Sequence, residues 1–271
     1  MSHYSYNPRL PLVVDTDAGV DDLLALTVLK QTNAPVAAII VSYGAFIAPD
    51  AYERVLRLTK SLQWSVPVLR GASKPLNRPY IHRDIGHGGH TPTLTELIAR
   101  LTQKLSSFHT SSDWIRDLAT IHSPTQPLVY VCMGPQTNLA QLLTKTEWQN
   151  SIKHIVLTGG AFEYPGDYNT YSENNFSWDP CAVTPIAQSG ISTSIISLNC
   201  TDHFLMTTEQ TQQLNPQLID RNSVNSYLHY YLIEKRQFSS IQKNHQKRYV
   251  GAAMHSLATA CYLLKPTYFY E

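Results

Sequence analysis

Four carboxylates lie within eight residues near the N-terminus: Asp15, Asp17, Asp21 and Asp22. They follow an apolar run of strand length and lead into a segment with helical spacing. Carboxylates this close repel one another unless a cation or hydrogen-bond donors lie among them, and Ca²⁺ and Mg²⁺ bind oxygen ligands of this kind. Capping of the following helix is the alternative use, but a cap needs only one or two carboxylates. The spacing therefore favours an oxygen-lined cation site where the strand meets the helix.

Two other classes of carboxylate loop agree less well with this stretch. An EF-hand requires Glu at its twelfth position, but counting from Asp15 that position is Leu26, and the loop glycine comes one place early. Aspartyl phosphatases of the haloacid dehalogenase type also have Asp-x-Asp after a first strand. They normally continue with Thr or Val one residue later, whereas Ala18-Gly19 follow here, so that similarity is short.

The rest of the chain alternates between apolar runs of strand length and segments with helical periodicity. The predicted strands are Leu10–Asp15, Val36–Tyr43, Val66–Leu69, Leu128–Cys132, Ile152–Leu157 and Thr193–Leu198. The predicted helices are Asp21–Lys30, Asp50–Leu62, Leu94–Leu105, Ser112–Ile121, Asn138–Leu143, Pro180–Ser189, Thr207–Lys243 with a break near Asn215-Pro216, and Ala252–Leu264. This alternation predicts one α/β domain over residues 1–271, a mostly parallel open sheet flanked by helices. Ligands of such sheets bind beyond the carboxyl ends of the strands.

Composition restricts the class of protein and its partners. Lys and Arg number 21 against 20 acidic residues, a net charge of +1, so we expect neither nucleic acid nor a membrane as partner. Apolar residues make up 43 % and charged residues 15 %, which favours a buried core over disorder. The four cysteines form no CxxC pair, so no zinc site is indicated. With no signal peptide or membrane-length apolar run apparent, we expect a cytoplasmic protein.

Five segments, in this order along the chain, resemble the motifs of one enzyme family, the nucleoside hydrolases of the inosine–uridine-preferring type. They are Val14–Leu26, Cys132–Ala140, Ile155–Ala161, Glu173–Pro180 and Met254–Ala260. The resemblance implies that family's α/β fold and its reaction, in which water cleaves the N-glycosidic bond of a ribonucleoside to give ribose and a free base. The transition state of such a cleavage resembles a ribosyl cation.

The resemblance also implies a role for individual residues. Calcium would be held by Asp17, Asp22, the carbonyl of Met133 and the residue at Ser256. Asp17 would also be the general base for the attacking water, and His255 would assist the departing base. Ribonucleoside binding would involve Asp21, Asp167, Glu173, Asn175 and His87. The helical region Tyr227–Tyr249 would cover the base, Asp15 would order the acidic loop, and the protein would form a homo-oligomer, as is common in the family.

Several positions depart from the family pattern. Ser256 replaces an Asp that binds calcium and touches the ribose, which leaves two liganding carboxylates instead of three and weakens the site. Ala45 replaces an Asn that helps to hold substrate. Smaller departures are Ala18 for Pro, Asp167 for Asn and Asn174 for an aromatic residue, and family members continue past the position of Glu271. Two interpretations follow: a working hydrolase with an adjusted site, or a related protein that binds a ribosyl ligand or a partner without efficient turnover.

Overall fold

The computed structural model of the chain describes residues 9–79, 113–215 and 251–269. Predictions for the remaining residues lie outside this part of the chain. They concern His87, the helix Leu94–Leu105, the region Tyr227–Tyr249, and most of the predicted helix Thr207–Lys243.

A six-stranded sheet, with every strand pair parallel, forms the centre of the fold. Its strands are β1 (Leu12–Thr16), β2 (Val36–Val41), β3 (Val68–Arg70), β4 (Leu128–Cys132), β5 (Ile152–Thr158) and β6 (Thr193–Ile196), in the spatial order β3-β2-β1-β4-β5-β6. The chain builds the sheet outward from β1 to β3, then returns to place β4 on the other side of β1. This reversal opens a crevice at the carboxyl ends of β1 and β4, the usual ligand position in such sheets.

Helices cover both faces of the sheet, so the predicted α/β architecture is confirmed. They are α1 (Val20–Gln31), α2 (Ala48–Ser61), α3 (Trp114–Ile121), α4 (Thr137–Leu142), α5 (Thr146–Ser151), α6 (Asn174–Trp178), α7 (Pro180–Gln188), α8 (Leu198–Thr201), α9 (Thr208–Gln213) and α10 (His255–Leu264). Within the described ranges no helix is long and apolar enough to cross a membrane.

Alternation along β1 distributes its side chains between two buried clusters. Leu12 and Val14 pack with residues of α1, α2 and α10, whereas Val13 packs with residues of α3, α4, α5 and α7. Successive side chains of a strand point to opposite faces, so a strand covered on both sides must be apolar throughout. The apolar run before Asp15 is therefore the expected sequence of a central strand.

The sequence prediction was wrong about the start of the last helix. The structure begins α10 at His255, three residues after the predicted start, because Ala252 and Ala253 form strand β8. This strand pairs antiparallel with β7 (Leu205–Met206). Small apolar residues are compatible with a helix or a strand, and here the pairing with β7 makes Ala252 and Ala253 a strand. His255 therefore lies in the first turn of the helix rather than in its second.

Other boundaries differ from the predictions by a few residues at strand ends. Strand β2 ends at Val41 rather than Tyr43, β3 is shifted toward Arg70, and β6 ends at Ile196. In the last case Leu198, predicted as strand, begins α8. Ser42 and Ser197 separate Tyr43 and Leu198 from the last residues of β2 and β6, so an apolar residue two positions further on does not extend the strand.

Burial predicts a large stability difference between two aliphatic positions. Ile39 in β2 is fully buried, so Ile39→Ala should lower the free energy of unfolding by about 2–5 kcal/mol through lost burial and a cavity. The control Leu56→Ala lies on α2 at a side chain that is 41 % exposed, and should change it by less than about 0.5 kcal/mol. Urea unfolding followed by circular dichroism measures both. Equal midpoints for the two variants would contradict the packing described for β2.

Candidate active site

Asp15 is a fully buried carboxylate that joins β1 to its neighbours. Its side chain accepts hydrogen bonds from Asn138 Nδ2 and from the Tyr130 hydroxyl, each at 3.0 Å. Asn138 in turn accepts the Ala72 N–H at 2.7 Å, which fixes the loop after β3. Burial raises the pKa of Asp15 to about 7, although these hydrogen bonds act to lower it. The geometry agrees with the predicted role of Asp15 in ordering the acidic loop.

Asp17 is held by the main chain of the loop that follows β2. Its Oδ2 accepts the Ala45 N–H at 2.8 Å, and a Cβ at Gly44 would overlap the carboxylate. Gly44 also has a φ of +153°, which L residues rarely adopt. Burial raises the pKa of Asp17 to about 7, and the nearby charge of Asp21 acts in the same direction. The loop thus approaches Asp17 closely only because residue 44 lacks a side chain.

The backbone of the acidic loop is unusual at Ala18, whose φ is +61°. This left-handed conformation is uncommon for a residue with a Cβ. The loop is stabilised on both sides: the Ala18 N–H donates to Thr16 Oγ1 at 3.0 Å, and Arg54 Nε donates to the Ala18 carbonyl at 3.1 Å. Proline, usual at this position in the family that the motif resembles, cannot adopt a positive φ.

The first turns of α1 and α10 meet at Asp21 and Asp22. The Ser256 N–H donates to Asp21 Oδ2 at 2.9 Å, and the Ser256 hydroxyl lies 3.3 Å from Asp22 Oδ2. Thr16 Oγ1 donates to the other oxygen of Asp22 at 2.8 Å. Burial raises the pKa of Asp22 well above its usual range, and the charges of Asp17 and Asp21 add to the effect. The acidic loop therefore contacts Ser256, a residue distant in sequence that the family resemblance placed at the same site.

The oxygen atoms at this point have the chemistry and spacing of ligands to a hard cation. Ser256 Oγ lies 3.3 Å from Asp22 Oδ2 and 3.5 Å from the Met133 carbonyl oxygen. Two oxygens about 2.4 Å from one Ca²⁺ and at right angles lie about 3.4 Å apart. In the parts of the chain that the structure describes, no three His, Cys, Asp or Glu side chains form a metal-binding group. A cation here would therefore depend on a carbonyl and a hydroxyl in addition to Asp17 and Asp22.

Asn175 connects this group of oxygens to the end of β5. Its Nδ2 donates to the Met133 carbonyl at 2.9 Å and to the Thr158 carbonyl at 3.2 Å. Both carbonyls follow or end central strands, so one amide spans the crevice between β4 and β5. Asn175, predicted to bind substrate, therefore lies beside the oxygen atoms of Met133 and Ser256.

Glu173 is a buried carboxylate that caps helix α6. It accepts the N–H groups of Asn175 at 2.7 Å, Phe176 at 2.9 Å and Gly160 at 3.0 Å. Burial raises its pKa to about 8, with Asp167 contributing, against the lowering effect of the three donors. Asp167 accepts the Asn174 N–H at 2.8 Å, so it holds the same turn. Glu173 and Asp167 therefore lie together, joined to the acidic loop through Asn175.

His255 is the residue immediately before Ser256 and is only half-buried. Its Nδ1 lies 2.6 Å from Thr201 Oγ1, at the end of α8. The Thr201 hydroxyl therefore orients the imidazole ring through Nδ1. The second nitrogen of the ring is Nε2. Among the predicted site residues, His87 lies outside the described part of the chain.

The structure brings Asp21, Asp22, Ser256, Asn175 and the Met133 carbonyl together at the carboxyl ends of the strands. The sequence analysis missed several residues whose side chains form hydrogen bonds to the predicted site residues. Those that it missed include Thr16, Tyr130, Asn138 and Thr201. Thr16 and Asn138 lie inside the recognised motifs, where their polar side chains among buried neighbours were an available signal. Thr201 lies outside all five motifs, and no sequence pattern linked it to His255.

Two glycine substitutions separate the strain at Gly44 from its contact with Asp17. Alanine at Gly44 and at Gly190, whose φ is +70°, would adopt a sparsely populated backbone conformation at a cost of about 1–3 kcal/mol in either case. Gly190 has open space around it, whereas alanine at Gly44 also displaces the Asp17 carboxylate. Gly44→Ala should therefore lower the unfolding free energy by at least about 1 kcal/mol more than Gly190→Ala. Urea denaturation measures the difference, and equal losses would contradict the close approach of this loop.

Comparison with known proteins finds relatives of this chain both in sequence and in fold. Pyrimidine-specific ribonucleoside hydrolase RihA from Escherichia coli O9:H4 (strain HS) is 32 % identical over 271 residues, covering 96 % of this chain and 81 % of the relative. RihA from Salmonella typhimurium (strain LT2) is 32 % identical over 270 residues, with the same coverage. In fold, the chain is similar to a purine-preferring ribonucleoside hydrolase from Gardnerella vaginalis (TM-score 0.73, 23 % identity, 95 % of this chain and 80 % of that one). A plant nucleoside hydrolase gives a TM-score of 0.71 at 22 % identity, with 96 % and 80 % covered. Residues 12–271 match the family described as inosine-uridine preferring nucleoside hydrolase, and the chain belongs to that family.

Proposed function

We propose that this protein hydrolyses the N-glycosidic bond of ribonucleosides in a calcium-dependent reaction, giving ribose and a free base. The observation that carries the proposal is the meeting of Asp17, Asp22, Ser256 and the Met133 carbonyl at the carboxyl ends of β1 and β4. Relatives that share a third of its sequence are named as pyrimidine-specific ribonucleoside hydrolases, which supports this reaction class. A structural neighbour is named as purine-preferring, so the base preference is a matter for assay.

Calcium, where bound by Asp17, Asp22, Ser256 and the Met133 carbonyl, would supply a water molecule that loses its proton more readily. Asp17 would accept a proton from that water, and the water oxygen would form a bond to C1′ of the ribose as the bond from C1′ to the base breaks. The hydrogen bond from Ala45 keeps the carboxylate in one orientation for this step.

The sugar would be held between α1 and the turn before α6. Asp21 and Glu173 offer carboxylate oxygens to ribose hydroxyls, and Asn175 offers its Oδ1, since its Nδ2 is directed at two carbonyls. Asp167 stabilises the same turn. Hydrogen bonds to ribose that strengthen as positive charge develops at C1′ lower the barrier further. His87 remains a predicted contact of the substrate.

The departing base would receive a proton from His255. As the bond from C1′ to the base nitrogen breaks, its electron pair moves onto the base, and protonation of the base prevents the build-up of negative charge. His255 stands next to Ser256 in the chain, so the acid is placed beside the residue that contacts Asp21 and Asp22. A cytoplasmic location and a homo-oligomeric state remain predictions from sequence.

A second function, binding of a ribosyl ligand without efficient turnover, is favoured by one specific observation. Ser256 supplies a neutral oxygen where the family pattern has a carboxylate, and its hydroxyl is shared between Asp22 and the Met133 carbonyl. Calcium affinity rises with the number of charged ligands, so this site would bind the ion more weakly. The replacement of Asn by Ala45 is less severe for Asp17, because the contact with Asp17 is made by the main-chain N–H.

Substitution of the proposed general base, Asp17, is the direct test of the hydrolase activity. Asp17→Asn should lower kcat for ribonucleosides by about 10²–10⁴-fold while leaving the fold intact, because an amide cannot take the proton from water. Ribose release from purine and pyrimidine ribonucleosides is measured with calcium and then with a chelator. The control Glu147→Gln changes an exposed carboxylate on α5 to an amide and should behave as wild type. If the folded wild-type protein releases no ribose from any nucleoside, the binding function replaces this proposal.

Restoration of the third carboxylate tests the role of Ser256 in holding calcium. Ser256→Asp should lower Tm in chelator, because it places another carboxylate near Asp21 and Asp22. Added calcium should raise the Tm of the variant by more than that of wild type, and calorimetry should show calcium binding tighter by at least about tenfold. Ser256→Ala provides the opposite control and should weaken binding. Calcium affinity that is the same in Ser256→Asp, Ser256→Ala and wild type would exclude residue 256 as a ligand.

A further inference from the structure

Helix α8 (Leu198–Thr201) lies outside the sequence motifs and outside the mechanism described so far. Its last residue, Thr201, is 1 % exposed and holds its hydroxyl 2.6 Å from Nδ1 of His255. This buried hydroxyl on a short helix therefore contacts the His255 imidazole, the group that protonates the departing base in the proposed mechanism. The contact joins two segments that are far apart in the sequence.

The backbone around Thr201 fixes the position of that hydroxyl. The Thr201 N–H donates to the Ser197 carbonyl at 2.9 Å, and the Thr201 carbonyl accepts the Phe204 N–H at 3.0 Å. The Phe204 carbonyl then accepts the Met254 N–H at 3.0 Å, one residue before His255. Thr201 and His255 are therefore tied through main chain as well as through the side-chain hydrogen bond, which limits relative movement of the two groups.

We propose that Thr201 is a positioning residue that holds the His255 imidazole so that Nε2 delivers the proton to the departing base. The inference rests on the proposed function. In the imidazolium, Nδ1–H donates to Thr201 Oγ1 and Nε2–H is the remaining donor of the ring. When the Nε2 proton passes to the base, as the C1′–N bond breaks and its electron pair moves onto the base, the proton on Nδ1 stays. The hydrogen bond to Thr201 therefore persists before and after transfer, and this role requires the neutral ring to carry its proton on Nδ1, with Thr201 Oγ1 as the acceptor.

This role differs from a merely structural one in its dependence on the leaving group. A nucleoside base needs protonation to leave, whereas 4-nitrophenolate leaves readily as an anion. Loss of the correct orientation of His255 should therefore slow cleavage of uridine or inosine but not of 4-nitrophenyl β-D-ribofuranoside. Loss of the fold or of ribose binding would slow cleavage of both kinds of substrate.

The test compares Thr201→Val, which has the shape but not the hydroxyl, with Thr201→Ser, which retains it. Thr201→Val should lower kcat on the better of uridine and inosine by at least about tenfold, since general acid catalysis is worth about 10²–10⁴-fold and only its orientation is lost. Its KM should change by less than about threefold, and its kcat on the nitrophenyl riboside by less than about twofold. Thr201→Ser should restore most of the rate. Thr59→Val is the control, since Thr59 is a buried threonine on α2 whose hydroxyl donates to the Leu56 carbonyl.

A spectroscopic measurement reads the same contact without turnover. Long-range ¹H–¹⁵N spectra of His255 should show the neutral ring protonated at Nδ1 in the wild type and a shift toward the other tautomer in Thr201→Val. Equal loss of rate on both classes of substrate, or no loss on nucleosides, would overturn the positioning role, as would an unchanged tautomer. A wild-type protein that cleaves neither substrate would instead overturn the proposed function, and this inference with it.

Discussion

The burial of several carboxylates in one crevice is the constraint on which the rest of the site depends. Asp15, Asp17, Asp21 and Asp22 are each at most 4 % exposed. Burial raises the free energy of charged carboxylates, so each must be compensated by donors or by a cation. The donors come from separate parts of the chain: α4 and β4 for Asp15, the loop after β2 for Asp17, and α10 for Asp21. The acidic loop thus determines which distant elements must meet at the carboxyl edge of the sheet.

The centre of the sheet could be predicted from the sequence because β1 and β4 are buried along their whole length. A run such as Leu128–Cys132 is buried throughout, and its bounds in the structure equal the predicted ones. Prediction was weaker where tertiary pairing decides between two local states. Ala252 and Ala253 suit a helix or a strand equally, and only the antiparallel partner at Leu205–Met206 makes them a strand.

The candidate site could be predicted where the side chains themselves, such as carboxylates, indicate a chemical role. Carboxylates at Asp17, Asp21 and Glu173 are costly to bury, so their presence after apolar strands is informative by itself. Main-chain donors give no such signal. The N–H of Ala45 binds Asp17 whatever its side chain is, and no sequence pattern assigns Thr201 to His255. Groups such as the Ala45 N–H and the Thr201 hydroxyl can be identified only from the three-dimensional structure.

The positive φ of Ala18 restricts which residues this position can accept. Proline stands at this position in typical members of the family, yet its ring holds φ near −65°, far from the +61° found here. A single change of Ala18 back to proline would force the backbone away from the hydrogen bonds made by Thr16 and Arg54. The loop conformation and a residue other than proline at position 18 therefore depend on each other, because proline would also remove the N–H that donates to Thr16 Oγ1.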